Sequence, residues 1–241
     1  MKLENFDDIC NWENFFKQSE TFKNNKPFKY AFVEEIFKRE FYEKLFENYP
    51  EYDKDDNSWS TSTEFSKHQF YRGWGEYDSG YYAGKEPDPK LSPEWNKFYR
   101  FLHSDEFLNA LKKFSDVPID RMKTFRFVLY HKGGFQLPHI HNDGPSTLIV
   151  FFNFSKGWEK GDPGGTYVAS EMDESKIMFE PYNLDNTMVI LQDGPYSAHG
   201  AKYITKDVKR KAIQIYFEGY SEEIGWTGKG FEKVKPEVEE L

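Results

Sequence analysis

The spacing of hydrophobic residues changes near residue 120, from a helical period before it to a strand-like period after it. In the N-terminal part, "EEIFKREFYEKLFENYP" places its apolar residues about 3.6 positions apart, and Pro50 follows as a stop. Residues 1–50 are therefore predicted to be helical. The apolar face of this predicted helix consists of Ile36, Phe37, Phe41, Leu45 and Phe46.

Two more helices are predicted from the residues that open them. "SPEWNKFYRFL" begins with Ser92 as a capping residue and Pro93 in its first turn, and "SDEFLNALKKFS" begins with Ser104 as its cap. The segment before this pair, residues 51–92, is polar and has no clear period. It is predicted to be irregular, with one strand around "HQFYRGW".

From about residue 122 the apolar residues fall in short runs that are rich in β-branched and aromatic side chains and are bounded by Gly, Pro, Asn or Asp. Six short strands at this spacing predict a sandwich or a barrel, so the fold class is mainly β with N-terminal helices. The runs are "KTFRFVLYHKGG", "STLIVFFNF", "GGTYVAS", "KIMFEP", "TMVILQ" and "RKAIQIYFEG".

Composition restricts the function classes. Aromatic residues make up 19% of the 241 residues, which is enough to build a core although hydrophobic residues are only 38%. The net charge of −9 opposes binding to nucleic acid or to an anionic membrane, and no apolar run is long enough to span a membrane. The single cysteine, Cys10, excludes an internal disulfide, and the start "MKLENFDDIC" lacks the pattern of a secretory signal. A cytoplasmic protein is expected.

The stretch "FQLPHIHNDGPSTLIVFFNF" carries three candidate metal ligands at alternating positions: His139, His141 and Asp143. In extended chain, alternation places all three on one face. The stretch is either a metal site at the mouth of a β-structure or a polar turn that contains histidines, because an isolated His-x-Asp pair is common by chance.

An open-sided iron site needs two imidazoles and one carboxylate. His141 and Asp143 supply the first pair, and His199, just after the predicted strand "TMVILQ", supplies the distant histidine at a strand exit. Arg210 and Lys211 open the next strand. A buried cation at such a position needs an anionic partner, and an acidic cosubstrate would be one.

With these residues in place, "LYHKGGFQLPHIHNDGPSTLIVFFNFSKGW", "GGTYVAS", "ILQDGPYSAHGAK" and "RKAIQIYFEG" resemble the iron(II)/2-oxoglutarate-dependent oxygenases, and most of all their prolyl-hydroxylase-like branch. The resemblance covers roughly residues 120–220 and implies a double-stranded β-helix, a distorted jelly roll. It implies one oxygenase domain, with a helical and irregular elaboration over 1–120, the core over 121–220 and a C-terminal tail over 221–241.

The resemblance also implies roles for individual residues. His141, Asp143 and His199 would be the iron ligands, and Arg210 would bind the distal carboxylate of 2-oxoglutarate in a bidentate manner. Lys211 is the alternative if the register slips by one residue, although it would then point to the opposite face. Tyr130 would donate a hydrogen bond to the same carboxylate, or it is an aromatic residue of the core.

His139 fits a cupin site only if a glutamate follows within a few residues, and none does. It is therefore predicted to lie beside the metal ligands or in the substrate pocket. Four further residues are candidates for the substrate pocket, although each also fits a surface or core position: Arg72, Trp74, Tyr77 and Arg126.

The activity implied is hydroxylation of an unactivated C–H bond in an amino acid, a proline-type peptidyl residue or another small metabolite, with release of succinate and CO₂. The implied cofactors are Fe(II), 2-oxoglutarate and O₂, with ascorbate as a candidate reductant. The partner would be a small-molecule or peptide substrate. Two alternatives stay open: a cupin-type metal-dependent enzyme that uses no 2-oxoglutarate, and a noncatalytic jelly-roll binding module.

Overall fold

An antiparallel sheet of ten strands, curled back on itself, makes up most of the part of the chain that the computed structural model describes, residues 4–61, 65–75, 86–141 and 143–219. The predicted tail over 221–241 lies outside the described residues. The strands are β1 (Tyr30–Glu34), β2 (Trp59–Thr61), β3 (Ser66–Gly73), β4 (Arg121–His139), β5 (Thr147–Phe154), β6 (Thr166–Ala169), β7 (Ile177–Phe179), β8 (Asp185–Gln192), β9 (Ala198–Ala201) and β10 (Arg210–Glu218). Among the described residues, five α-helices flank them: α1 (Trp12–Lys17), α2 (Ser19–Asn24), α3 (Arg39–Glu47), α4 (Pro93–Leu102) and α5 (Asp105–Ser115). A short 3-10 helix, Glu174–Lys176, precedes β7.

The strand order is β1-β8-β5-β10-β4-β9-β6-β7, with β3 also pairing with β4 and β2 with β3. The long strand β4 belongs to both halves of the fold. Its first part pairs with β10 and β3, and its last residues pair with β9. Because of this, β9, β6 and β7 fold over the wider half of the sheet, which is the arrangement of a double-stranded β-helix.

Alternation along β4 separates the core from the interior of the curl. Phe125 and Phe127 face the helices, where Trp95 packs against Phe127 at a ring distance of 4.8 Å in an edge-to-face geometry. Arg126 and Tyr130 lie on the opposite face, inside the curl. Most of the buried aromatic residues thus fill the layer between sheet and helices, and the inner face carries polar groups together with smaller apolar clusters.

The predicted helix pair is confirmed, with caps of the expected kind. The Ser92 side chain accepts a hydrogen bond from the backbone N–H of Trp95, and that of Ser104 accepts one from Phe107. The predicted strand around "HQFYRGW" is β3. None of the described helices is long and apolar enough to cross a membrane.

The prediction that residues 1–50 are helical is wrong in part, because β1 lies among them. β1 pairs with β8, with Tyr30 opposite Leu191, and a pairing this distant in sequence leaves no local helical or turn signal. Phe37 also lies outside α3. Its backbone N–H donates to the side-chain oxygen of Asn186, which holds the chain in a bridge with Cys10 instead of a helical turn.

Candidate metal centre and anion site

His139 and His199 lie opposite each other on two neighbouring strands. His139 is the last residue of β4 and pairs in register with His199 in β9, so their side chains share one face of the sheet. Their ring centroids are 4.4 Å apart. The sequence predicted His199 at a strand exit, whereas it lies inside β9, a strand of only four residues.

His141 completes a group of three histidines. Its ring centroid lies 4.9 Å from that of His139 and 5.1 Å from that of His199. One ring nitrogen from each residue lies within 4.8 Å of the other two. Imidazole nitrogen is a ligand for iron, zinc, copper and nickel, so the group is a candidate metal centre. The group contains no carboxylate from the described residues.

The surroundings keep these imidazoles neutral. Burial is the first cause of a lowered pKa in all three, and it lowers the pKa of His141 to about 4. In His139 a hydrogen bond from ring to backbone carbonyl opposes this shift, and in His199 the other two histidines add to it. Neutral imidazole is the form that binds metal, so the site is ready to bind one near neutral pH.

Asp143, the predicted carboxylate ligand, points toward a lysine. Its Oδ2 lies 3.5 Å from Nζ of Lys123, which also lies 3.3 Å from Oε2 of Glu218. The backbone turns directly after it at Gly144, whose φ of +111° is in the region that favours glycine. The ligand set of His141, Asp143 and His199 therefore stays a prediction, and the structure brings two of its members together.

Arg210 is a buried cation that has no carboxylate partner among the described residues. It is 1% exposed at the start of β10, directly opposite Tyr130, and its guanidinium carbon lies 4.8 Å from the centre of the Tyr130 ring. One terminal nitrogen donates to Oγ1 of Thr166, and Nε has no hydrogen-bond partner among the described residues. Burial lowers the pKa of Arg210. A guanidinium in this state is a binding site for an anion.

The Tyr130 hydroxyl is part of a polar network. It accepts a hydrogen bond from Nε2 of Gln69 at 2.6 Å and donates one to Oε1 of Gln136 at 3.1 Å. Burial raises its pKa to about 12, so it stays a hydrogen-bond donor at neutral pH. Lys211 points the other way, as alternation requires, and its Nζ pairs with Glu51 at 3.1 Å.

A cavity of about 120 Å³ adjoins the histidines. His139, His141, Arg126, Gln136 and Tyr216 are among its lining residues. None of the described residues that line it is acidic. A larger cleft, of about 730 Å³, lies between the first helices and β1, and its lining contains none of the histidines.

Two predicted pocket residues have structural contacts elsewhere. Arg72 pairs with Asp88 at 2.6 Å, and both side chains are almost fully buried. Trp74 stacks on Tyr99 with ring centroids 3.7 Å apart. Neither lines the cavity beside the histidines. Their role in substrate binding stays a prediction, and Tyr77 lies outside the described residues.

Asp193 is a site residue that the sequence analysis missed. Its Oδ2 accepts a hydrogen bond from the backbone N–H of Gly144, and its Oδ1 accepts one from the hydroxyl of Ser197. The carboxylate thereby joins the turn after His141 to the turn before His199. The only sequence signal was an aspartate in the turn "QDGPYSAH", which reads equally well as a surface turn residue.

The chain shares its fold with solved 2-oxoglutarate–iron(II) oxygenases. A prolyl-4-hydroxylase from Pseudomonas putida matches with a TM-score of 0.60 at 10% identity, over 87% of this chain and 100% of its own. A prolyl hydroxylase from Trichoplax adhaerens, in complex with a hypoxia inducible factor peptide fragment, matches with a TM-score of 0.57 at 12% identity, over 86% and 88%. HygX from Streptomyces hygroscopicus, with nickel and 2-oxoglutarate bound, matches with a TM-score of 0.55 at 11% identity, over 86% of both chains.

No protein-family model matches the sequence, and no curated protein sequence matches it. The structural likeness confirms the double-stranded β-helix that the sequence predicted. Since the identities are 10–12%, the likeness shows the fold, and the chemistry has to be argued from the residues of this chain.

Proposed function

We propose that this protein is an iron(II)- and 2-oxoglutarate-dependent dioxygenase that hydroxylates an unactivated C–H bond of an amino acid, a peptidyl residue or another small metabolite. The observation that carries the proposal is the buried guanidinium of Arg210, which has no carboxylate partner among the described residues and lies on the same inner face as three converging histidines. Bound iron(II) would activate O₂, with 2-oxoglutarate converted to succinate and CO₂.

The chain's own residues would bind and orient the cosubstrate. The Arg210 guanidinium would hold the distal carboxylate in a bidentate manner, since Nε has no hydrogen-bond partner in the part of the chain that the structure describes. The Tyr130 hydroxyl would exchange one of its bonds to Gln69 or Gln136 for a bond to that carboxylate. The buried inner face keeps water away from both groups. Ascorbate would be a candidate reductant for the iron.

The cavity beside the histidines supports an acidic substrate. Arg126 contributes a guanidinium to the lining, and none of the described lining residues contributes a carboxylate. A free amino acid or a peptide with a carboxylate close to the reacting carbon would match this field better than a neutral or cationic molecule.

Anaerobic titration tests the binding step. Adding 2-oxoglutarate to the iron(II)-loaded protein is expected to produce a visible charge-transfer band, because the cosubstrate chelates the metal. Arg210→Met should weaken the binding of 2-oxoglutarate at least tenfold while iron(II) still binds. If the unaltered protein gives no band and no heat of binding with 2-oxoglutarate, the assignment is wrong.

A substrate screen tests the reaction. Amino acids, peptides and small metabolites are assayed for stimulated succinate formation, and each acidic compound is paired with its amide as a matched control. Acidic members are expected to stimulate succinate formation more than their amides, and Arg126→Gln should reduce that difference. Equal stimulation by both members of every pair would contradict the charge argument.

A metal-dependent enzyme without 2-oxoglutarate stays the second candidate, because the grouped ligands are all histidines. Arg210 speaks against it, since its buried guanidinium has no carboxylate partner among the described residues, and 2-oxoglutarate would supply one. The titration above separates the two candidates. Iron(II) binding without any response to 2-oxoglutarate would favour this second one.

A further inference from the structure

We propose that the metal is coordinated by three histidines, His139, His141 and His199, and that Asp143 stays outside the coordination sphere. The inference rests on the proposed function, because it names the ligands of that metal. It changes the prediction made from the resemblance, in which Asp143 was the third ligand and His139 a neighbour.

The first argument is distance. One nitrogen from each of the three rings already lies within 4.8 Å of the others. Two nitrogens bound to one ion at about 2.0–2.1 Å lie roughly 3 Å apart, so small side-chain rotations bring the rings to ligand distance. His139 and His199 are held for this by the register of β4 and β9, which pairs them directly.

The second argument is the direction of the lone pairs. Nδ1 of His139 lies 3.0 Å from the carbonyl oxygen of Leu137, and Nδ1 of His199 lies 3.3 Å from that of Ser197. A carbonyl only accepts hydrogen bonds, so in each neutral ring Nδ1 carries the proton and Nε2 carries the lone pair. Metal-binding histidines are held in this way by an outer acceptor.

Nε2 of His199 is the decisive atom. It is fully buried and has no hydrogen-bond partner among the described residues. A buried acceptor that makes no hydrogen bond is costly, because it has lost its bond to water without replacing it. A metal ion shared with Nε2 of His139 removes that cost.

His141 has an outer partner of its own. Its Nε2 lies 2.7 Å from the hydroxyl of Tyr216, which accepts a hydrogen bond from Gln214. In the proposed centre Nδ1 of His141 binds the metal, so Nε2 carries the proton and donates it to the Tyr216 hydroxyl. Tyr216 is then a positioning residue, since it fixes the orientation of a ligand and does not touch the metal.

The contacts of Asp143 direct its carboxylate toward Lys123, and the group of three histidines does not include it. The next residue, Gly144, is tied to Asp193 by its backbone N–H. Reaching the metal would take the carboxylate away from Lys123 and pull on this turn. Three neutral ligands leave the full charge of a divalent ion uncompensated, which strengthens the attraction of the site for an anionic cosubstrate.

The test uses Cu(II) as the probe, at one equivalent, with the nitrogen hyperfine structure of its electron paramagnetic resonance spectrum as the readout. The unaltered protein is expected to show three nitrogen ligands and His141→Asp two. If Asp143 is the third ligand instead, the unaltered protein shows two nitrogens and His141→Asp one. Either count is independent of enzymatic activity.

Affinity measurements on paired variants give the second readout. His139→Gln is expected to lower the Fe(II) affinity more than about 100-fold, beyond the range for outer partners, and Tyr216→Phe to lower it roughly 10–100-fold without changing the nitrogen count. Asp143→Asn is the matched control and should bind Fe(II) nearly as tightly as the unaltered protein. Melting curves of each metal-free variant establish that it is folded. Loss of metal in Asp143→Asn with retention in His139→Gln would overturn the inference.

Failure of the inference and failure of the proposed function have different signatures. Two nitrogens together with 2-oxoglutarate-dependent succinate formation reject the three-histidine centre and leave the oxygenase standing. Three nitrogens with no response to 2-oxoglutarate reject the oxygenase and leave the centre standing. A protein that binds neither Cu(II) nor Fe(II) rejects both.

Discussion

The same substitution should destabilise this protein at one buried arginine and leave its stability nearly unchanged at another. Arg72 and Arg210 are both almost fully buried, at 4% and 1% exposure. Arg72 has a carboxylate partner, Asp88, at 2.6 Å, whereas Arg210 has none among the ion pairs of the described residues. Replacing each with methionine keeps much of the side-chain volume and removes the charge. Comparing the two variants therefore distinguishes an arginine that stabilises the fold from an arginine that binds an anion.

The expected magnitudes follow from these contacts. Arg72→Met leaves the Asp88 carboxylate buried without its partner, which costs about 3–5 kcal/mol. Arg210→Met loses a cation–π contact of about 2 kcal/mol with Tyr130 and a charged hydrogen bond to Thr166 of about 1.5–3 kcal/mol. It also removes a desolvation cost of several kcal/mol, which offsets these losses. The free energy of unfolding should therefore change by less than about 1.5 kcal/mol, or rise.

Thermal unfolding with and without 2-oxoglutarate measures both effects. For a chain of this size, Arg72→Met should lower the melting temperature by roughly 6–20 °C, and Arg210→Met should leave it nearly unchanged. At a hundredfold excess over its dissociation constant, 2-oxoglutarate should stabilise the iron(II)-loaded protein and Arg72→Met by about 2.7 kcal/mol, but not Arg210→Met. If Arg210→Met destabilises the protein as much as Arg72→Met does, Arg210 is a structural residue and the reasoning fails.

Three further predictions concern two residues beside the site, Asp193 and Gly200, and the buried Cys10. Asp193→Ala removes the acceptor for a hydrogen bond from Gly144, in the turn after His141, and for one from Ser197, in its own turn before His199. Urea unfolding should show a loss of about 2–4 kcal/mol and metal affinity should fall with it, and a variant of unchanged stability would contradict this role. In Gly200→Ala the new Cβ would lie 2.5 Å from the Tyr167 hydroxyl, so we expect the free energy of unfolding to fall by about 1–3 kcal/mol and metal binding to weaken. Calorimetry that finds neither effect would refute this expectation. Burial raises the pKa of the Cys10 thiol, so a thiol reagent should label it only in denaturant; rapid labelling of the native protein would disagree.

The elements that the sequence predicted correctly carry their signals locally. α4 and α5 have capping serines and a helical apolar period, and every residue of β5 is buried, as a continuous apolar run requires. β1 and β9 were missed because they are short and are stabilised by strands far away in the sequence. β9 has four residues and depends on β4 and β6 for its hydrogen bonds.

For the candidate site, too, the sequence was sufficient for some residues and insufficient for others. Residue types, order and spacing predicted His141, His199 and Arg210 as site residues, because a metal needs imidazoles and an anionic cosubstrate needs a cation. They were not enough to choose between His139 and Asp143, which flank His141 at equal spacing in the sequence.

By itself, then, the sequence determined a β-rich fold behind N-terminal helices and a set of alternating candidate ligands. Only the tertiary structure decided which of the candidates converge. Alternation keeps side chains on one face as long as the chain stays extended, and here β4 ends at His139 and the chain turns at Gly144. The register between β4 and β9 then places His139 opposite His199 and leaves Asp143 beside Lys123, because cross-strand pairing is a property of distant segments.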